Sequence, residues 1–456
     1  MPRFRLPLFL VLGCTAALLC TLNGCGGGDL DPNHPLPHSF DHIVVIVQEN
    51  RTPDNLFHDP VLIARGADIA SSGINSRGQV VPLQPIALTT KFDLSHMHKA
   101  FVTMYHNGQM DGADLIPVEC GSPKIRHCSP PAPQFTYVNP ADVGPYFELA
   151  EEYAFADRMF QSNQGPSYPA HQFLLSGTSV PVTGSDLFVA ENVKLTENAG
   201  CNAPRNQLVA LINPLGLESR YIYPCFEHET LTDLLDAASV TWHYYAPSVG
   251  SIWTAPNAIR HICQPQAYHG ELICSGDTWS KVIIPQTKIL TDIAKNQLPN
   301  VSWVIPNGRA SDHPFQNNGS GPSWVAAIVN AIGTSQYWSK TAIFITWDDW
   351  GGFYDHVAPK IYNSYEYGFR VPLIIVSPYA KAGYISHVTH DFGSILRFIE
   401  ENFDLPSLGY ADSRADDLTD CFNFQQSPSD FHVITAPLSA GQFLEDRTPP
   451  LDPDDD

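Results

Sequence analysis

The sequence predicts an α/β fold: a three-layer α/β/α sandwich around a mostly parallel sheet, with loop-rich insertions. Two observations predict it. Five short apolar runs, His42–Val47, Val240–Tyr245, Val301–Ile305, Ala342–Thr346 and Val371–Val376, have the continuous hydrophobicity of parallel strands buried on both faces. Between them, Thr230–Ala238, Ile284–Asn296, Ser323–Ile332 and Asp391–Asn402 repeat their apolar residues at helical spacing. Strand–helix alternation is the pattern of a parallel sheet covered by helices. Ligands of such sheets bind at the carboxyl ends of the strands, so function is sought in the residues that follow each run.

In chain order, Arg3 and Arg5 precede an apolar stretch from Leu6 to Leu22, which reads as a secretory signal over residues 1–24. A signal cut elsewhere, or a retained membrane helix, is the alternative. Residues 25–39 are glycines and then a polar, Pro-rich run, a flexible tether. The folded body is expected over 40–445, and 446–456 is an acidic, Pro-containing tail expected to be disordered. Residues 60–90, 115–140 and 180–225 are rich in Gly, Pro, Asn and Ser and read as surface insertions or a lobe over the sheet. No run after the leader approaches the length of a membrane span, so the body is expected to be soluble.

The chain carries 25 Lys+Arg against 47 Asp+Glu, a net charge of −22, and removal of the leader would make it more acidic. Such a surface argues against nucleic acid and against adsorption on anionic headgroups, and it is compatible with a divalent cation. Beyond Cys25 stand Cys120, Cys128, Cys201, Cys225, Cys263, Cys274 and Cys421. In an oxidising compartment the favoured pairing is Cys120–Cys128, Cys201–Cys225 and Cys263–Cys274, with Cys421 a buried free thiol, although spacing alone leaves connectivity open. A zinc-site reading is weaker, since no CxxC or HxxxH spacing accompanies these cysteines.

Three polar clusters follow apolar runs or open a helix. Gln48-Glu49-Asn50-Arg51 would bring a carboxylate and an amide to the sheet edge, oxygen donors suited to a divalent cation; a plain polar loop is the alternative. Trp347-Asp348-Asp349-Trp350-Gly351-Gly352-Phe353-Tyr354-Asp355-His356 sets two carboxylates side by side, which repel unless a cation or basic group neutralises them. Asp355-His356 could form an outer pair or add a ligand, and a solvated acidic turn is the competing reading. In Gly165-Pro166-Ser167-Tyr168-Pro169-Ala170-His171, Ser167 lies at or just before a helix start, where backbone N–H groups favour an anion such as phosphate. It could be a cap, a nucleophile on a metal, or both. No GxSxG surrounds it. His96, His261 and His313 lie in Asp93-Leu94-Ser95-His96, Ile259-Arg260-His261-Ile262 and Ser311-Asp312-His313-Pro314, and imidazoles can serve phosphate oxygens and a leaving oxygen.

With these pieces in order, the chain resembles the bacterial phosphoesterase family that includes phospholipases C and acid phosphatase A, within the alkaline-phosphatase-like superfamily. The matching residues are Glu49-Asn50-Arg51 with Asp54, Gly165-Pro166-Ser167 with Pro169, Asp312-His313-Pro314, Trp347-Asp348-Asp349 with Gly351-Gly352-Phe353 and Asp355-His356-Val357, and Arg370-Val371-Pro372 leading to Ser377-Pro378. They run in family order over about residues 40 to 425.

The resemblance implies an alkaline-phosphatase-like fold and a divalent cation, of open identity, held by Glu49, Asn50, Asp348 and Asp349. It implies Ser167 as nucleophile, His96 and His313 as catalytic groups on the phosphate, and Asn50, His96, His261 and His313 as substrate contacts. The activity implied is hydrolysis of a phosphate ester, a phospholipid headgroup or a small phosphomonoester. After the nucleophile the family often has Pro-Asn-Arg, and Pro169-Ala170-His171 departs from it, so an arginine contact is missing or replaced by His171. Leu22-Asn23-Gly24-Cys25 resembles the lipobox of bacterial lipoproteins, which implies acylation of Cys25 and an exported protein anchored in the cell envelope. Two rival readings stand beside these: a hydrolase of sulfate or phosphonate esters, and a non-enzymatic surface lipoprotein. The first would need C/S-x-P/A-x-R, and Ser167 to His171 lacks the arginine; the second would be expected to lose the acidic pair or the serine.

Overall fold

The computed structural model describes residues 39–121, 125, 127–193 and 198–450. The leader, Cys25, the tether before Ser39 and the last six residues of the tail lie outside the described residues.

Eight strands build the central sheet: β1 (His42–Gln48), β2 (Ala154–Ala156), β3 (Trp242–Tyr245), β4 (Val282–Ile283), β5 (Val301–Val304), β6 (Thr341–Trp347), β7 (Leu373–Val376) and β8 (Tyr384–Ser386). Their spatial order is β4-β3-β5-β1-β6-β7-β2-β8. From β4 to β6 all neighbours run parallel. Ile43, Val44, Val45, Ile46 and Val47 of β1 are all fully buried, as a central strand covered on both faces requires.

The six main helices are α1 (Gly144–Glu152), α2 (Ser167–Ser176), α3 (Leu231–Ala237), α4 (Lys288–Ala294), α5 (Gly321–Gly333) and α6 (Phe392–Asn402). They divide into two packing groups, α1 and α4 against α5, and α3 and α6 against α2, the division expected of helices on two faces of one sheet. Helix starts follow local chemistry. Thr230 and Asp233 form a capping box on α3, and Asp391 and Ser394 form one on α6. The described helices include none long and apolar enough to cross a membrane.

Three expectations are corrected. Val371–Val376 was expected among the parallel strands, yet β7 pairs antiparallel with both β6 and β2. The chain between β6 and β7 contains no helix, and a return without a crossover gives an antiparallel neighbour. Val240 lies in the turn that closes off α3, its N–H donating to Leu235 O at 2.8 Å, and the strand begins at Trp242. The helix expected from Ile284 begins at Lys288, because Pro285 disfavours the helical conformation in the residue before it.

Disulfides join Cys120 to Cys128, Cys201 to Cys225 and Cys263 to Cys274, and Cys421 is buried and free. The insertions hold short strands of their own, Ser72–Ile74 against Val80–Pro82 and Val209–Ile212 between Phe188–Val189 and Arg220–Ile222. The segment between the first two insertions packs on the site loop. Phe92, Leu94, Phe101 and Met104 form a second apolar core with Trp350, Phe353 and Phe369, which clamps the segment bearing His96 onto the loop after β6.

Candidate active site

Strands β5, β1 and β6 are adjacent and parallel, so their carboxyl ends open on one edge of the sheet. Gln48 stands opposite Trp347 in the register, and Glu49-Asn50 and Asp348-Asp349 therefore leave the sheet side by side. The last rung is the Asp348 N–H donating to Gln48 O at 3.0 Å. Asn50 then turns with φ 61°, a left-handed conformation that Asn tolerates, and its N–H donates to Asp348 Oδ1 at 3.1 Å. The same oxygen accepts the Asp349 N–H at 2.8 Å, and Asp349 Oδ1 accepts the Gly351 N–H at 2.7 Å. Gly351 has φ 61°, and a Cβ there would lie 2.4 Å from Asn50 O, so the approach of the two loops requires glycine.

Ser167 is the first residue of α2 and is not its cap; Pro166 holds that position. The Ser167 hydroxyl donates instead to Asp349 Oδ2 at 3.1 Å. One helical turn further on the same face stands His171. Its Nε2 lies 3.2 Å from Glu49 Oε1 and 3.6 Å from Asp348 Oδ2. Donor atoms of Glu49, His171 and Asp348 all lie within 4.8 Å of one another. Glu49, Asn50, Ser167, His171, Asp348 and Asp349 are each 0% exposed, so water does little to screen their charges.

His96 Nδ1 bonds to Leu94 O at 2.8 Å, which puts its proton there and leaves Nε2 to accept from Asn50 Nδ2 at 3.1 Å. That Nε2 is 3.9 Å from Asp349 Oδ2, the oxygen Ser167 uses. His313 Nδ1 donates to Pro314 O at 2.7 Å. The His96 and His313 rings are 6.2 Å apart, and Trp253 stands 6.1 Å from His313 and 6.4 Å from His171. The two histidines expected to serve the phosphate thus lie on the same edge as the carboxylates.

His261 does not join them. Its imidazole pairs with Glu227 at 2.7 Å and Asp233 at 3.1 Å, and these partners, Asp233 first, push its pKa up to about 9. The two partners of this partly exposed histidine are thus carboxylates outside the expected ligand set.

Several contributors are not legible in the sequence. His171 enters there only as a substitute for an arginine, although its spacing from Ser167 puts the two on one helix face. Burial pushes the His171 pKa down to about 4, against the pull of Asp348, so its imidazole is neutral and able to donate a lone pair. Asp312 is buried and accepts from Tyr146 Oη at 2.9 Å and Trp347 Nε1 at 3.0 Å, while Arg51 Nη2 donates to Asp312 O at 2.7 Å. This bracing fixes the loop that carries His313. Asp355 is held bidentately by Arg370 Nε at 3.0 Å, and Arg370 Nη2 also meets Asp54 at 3.2 Å. Asp355 thus braces the loop through Arg370, and it also stands with Asp54 and His356 in a second group of donor atoms within 4.8 Å of one another. No feature local to Asp312 or Arg51 announces these contacts, which depend on strands distant in sequence.

The donor set fits a divalent cation. Glu49, Asp348 and Asp349 gather carboxylates in a buried space, Asn50 adds an amide oxygen, and His171 adds a neutral imidazole. Asn50 Oδ1 and Asp348 Oδ2 are buried with no hydrogen-bond partner among the described residues, an expensive arrangement that a cation would relieve.

Comparison with known proteins assigns the chain to a family. The profile of the Phosphoesterase family matches residues 40–406. The chain is similar to non-hemolytic phospholipase C of Pseudomonas aeruginosa, 24% identical over 438 residues, covering 84% of this chain and 57% of that protein. It is similar to phospholipase C B of Mycobacterium tuberculosis, 25% identical over 447 residues, covering 86% of this chain and 79% of that one. The chain thus spans little more than half of the Pseudomonas protein. Among solved structures, a protein of the alkaline phosphatase superfamily from Vibrio parahaemolyticus aligns at 10% identity and a TM-score of 0.34, over 83% of this chain and 72% of that one. That likeness is too distant to add to the sheet order described above. On the profile match, which covers most of the folded body, the chain belongs to the phosphoesterase family.

Proposed function

We propose that the chain hydrolyses phosphate esters through Ser167, with a divalent cation held by Glu49, Asn50, Asp348, Asp349 and His171. The observation that carries the reading is the Ser167 hydroxyl on Asp349 Oδ2 at 3.1 Å, at the edge of a buried cluster of cation donors. When bound, the cation would lower the pKa of the serine hydroxyl and screen the incoming anion.

The protein's own groups do the rest. Asp349 Oδ2 orients Ser167 Oγ and is placed to accept its proton as Oγ attacks phosphorus in line. The bond from phosphorus to the ester oxygen breaks, and that oxygen takes a proton from Nε2 of His313 or His96 in the imidazolium form, the ring having gained that proton from solvent before the attack. Asn50 Nδ2, released from His96, can donate to an equatorial phosphate oxygen. Water then cleaves the phosphoserine and regenerates the hydroxyl. The relatives' names favour a phospholipase-C-type diester. Export and an anchor at Cys25 belong to the same proposal, supported by the leader and by Leu22-Asn23-Gly24-Cys25; the mass of the mature N-terminal peptide tests them.

The test is a panel of p-nitrophenyl phosphate, its phosphorylcholine ester and phosphatidylcholine micelles, assayed before and after chelation. Hydrolysis that disappears on chelation and returns with a divalent cation is expected. Full activity in the metal-free enzyme would sink the cation, and inactivity on all three esters would sink phosphate-ester hydrolysis. Faster cleavage of the monoester than of either phosphocholine diester would reverse the favoured substrate.

A further inference from the structure

Cys421 is a buried thiol that neither the disulfides nor the proposed reaction uses. It lies in a single 3-10 turn, Thr419–Cys421, against the strand end at His390. His390 is fully buried and stands between two carboxylates: Nδ1 is 3.0 Å from Asp416 Oδ1, and Nε2 is 3.6 Å from Asp420 Oδ1. Cys421 Sγ is 3.6 Å from that same Asp420 oxygen. The other Asp420 oxygen is already engaged, accepting from Ser386 Oγ at 2.5 Å and Tyr384 Oη at 3.3 Å. One imidazole nitrogen, one thiol sulfur and one carboxylate oxygen are left to converge, all within 4.8 Å of one another.

We propose that His390 Nε2, Asp420 Oδ1 and Cys421 Sγ form a second cation site, separate from the Ser167 centre, for a borderline-soft divalent ion of the Zn2+ class. The spacing supports it. Bonds of about 2.0–2.3 Å at tetrahedral angles put zinc donors roughly 3.3–3.7 Å apart, and the two separations of 3.6 Å fall in that interval. The outer contact supports it as well. A metal-bound imidazole commonly gives its other N–H to a carboxylate, and Asp416 Oδ1 lies within reach of that role at 3.0 Å from His390 Nδ1. A thiolate beside an imidazole selects softer ions than the oxygen-rich donors near Ser167.

The surroundings are compatible with loading from solvent. The Asp420 side chain is 22% exposed, so the cluster has an open edge, and Ser386 Oγ, 3.2 Å from His390 Nε2, borders a fourth position. The nearby ammonium of Lys381 is spent on Asp420 O at 2.5 Å. Ligation transfers the S–H proton to solvent, so binding is stronger at higher pH. The filled site would tie β8 to the segment before α6 and to the turn at Cys421.

Titration of the metal-stripped full chain with Co2+, followed in the near ultraviolet, tests this. A thiolate-to-cobalt charge-transfer band is expected in the wild type and in Asp348→Asn, and is expected to disappear in Cys421→Ser. His390→Gln, which keeps the thiol, should weaken Co2+ binding at this band at least about 10-fold. It also serves if the serine variant fails to fold. No thiolate band at saturating Co2+, or an undiminished band in folded Cys421→Ser, overturns the proposal. Either result would leave His390 as a buried side chain between Asp416 and Asp420, with no bearing on the Ser167 centre.

Discussion

Ser167 and His171 sit one turn apart on α2, and each reaches a different strand end: the hydroxyl meets Asp349 Oδ2 at 3.1 Å and the imidazole meets Glu49 Oε1 at 3.2 Å. A single helix start thus presents both the nucleophile and a neutral nitrogen donor to carboxylates delivered by β1 and β6. His171→Ala should weaken divalent cation binding by at least about 10- to 100-fold, measured by equilibrium dialysis of the metal-stripped protein. Unchanged affinity would remove His171 from the ligand set.

The close approach of Asn50 to the loop after β6 depends on Gly351. Gly351→Ala places a Cβ against Asn50 O in a backbone conformation with positive φ. It is expected to lower the unfolding free energy by roughly 1–3 kcal/mol and to reduce turnover by displacing Asn50. Denaturant melts and steady-state assays read the two effects; a variant as stable and active as wild type contradicts the packing argument.

Arg370 is a buried cation shared by Asp54 and Asp355. Arg370→Met would leave two carboxylates buried together, and a loss of about 3–5 kcal/mol of stability is expected at neutral pH, shrinking as acid protonates them. A loss confined to activity would mean that Arg370 works on the substrate.

His261 supplies a pH-dependent test. Its pKa is raised to about 9 by Asp233 and Glu227, so its stabilising contribution is complete below the unfolded value of about 6.5 and is lost as pH rises through 9. His261→Gln should lower the urea midpoint at pH 6, match wild type above pH 9, and leave hydrolysis unchanged. A fall in hydrolysis at constant stability would place His261 among the substrate contacts.

What could be read from the sequence was what lies in one continuous stretch. Glu49-Asn50 and Asp348-Asp349 each follow an apolar strand directly, so their place on the sheet edge needed only the strand to be recognised. The helical stretches Thr230–Ala238 and Asp391–Asn402 were legible in the same local way. The direction of β7 was hidden, because its apolar run looks the same in a parallel or an antiparallel setting. The short strands β2, β4 and β8 have too few residues to show a period. Asp312 acquires its role only when Tyr146 and Trp347 are folded onto it, and His261 looked like any other histidine until Glu227 and Asp233 were seen beside it.

The central claim is tested most directly by Ser167→Ala, measured for cation binding, folding and hydrolysis in the same preparation. The alanine removes one hydroxyl from the edge of the donor cluster and none of its ligands. Retained cation affinity, an unchanged melt and a fall in turnover of about 1,000-fold or more are expected. A folded, metal-loaded Ser167→Ala protein that hydrolyses phosphate esters within tenfold of the wild-type rate would contradict the account, with tenfold corresponding to only about 1.4 kcal/mol of transition-state stabilisation.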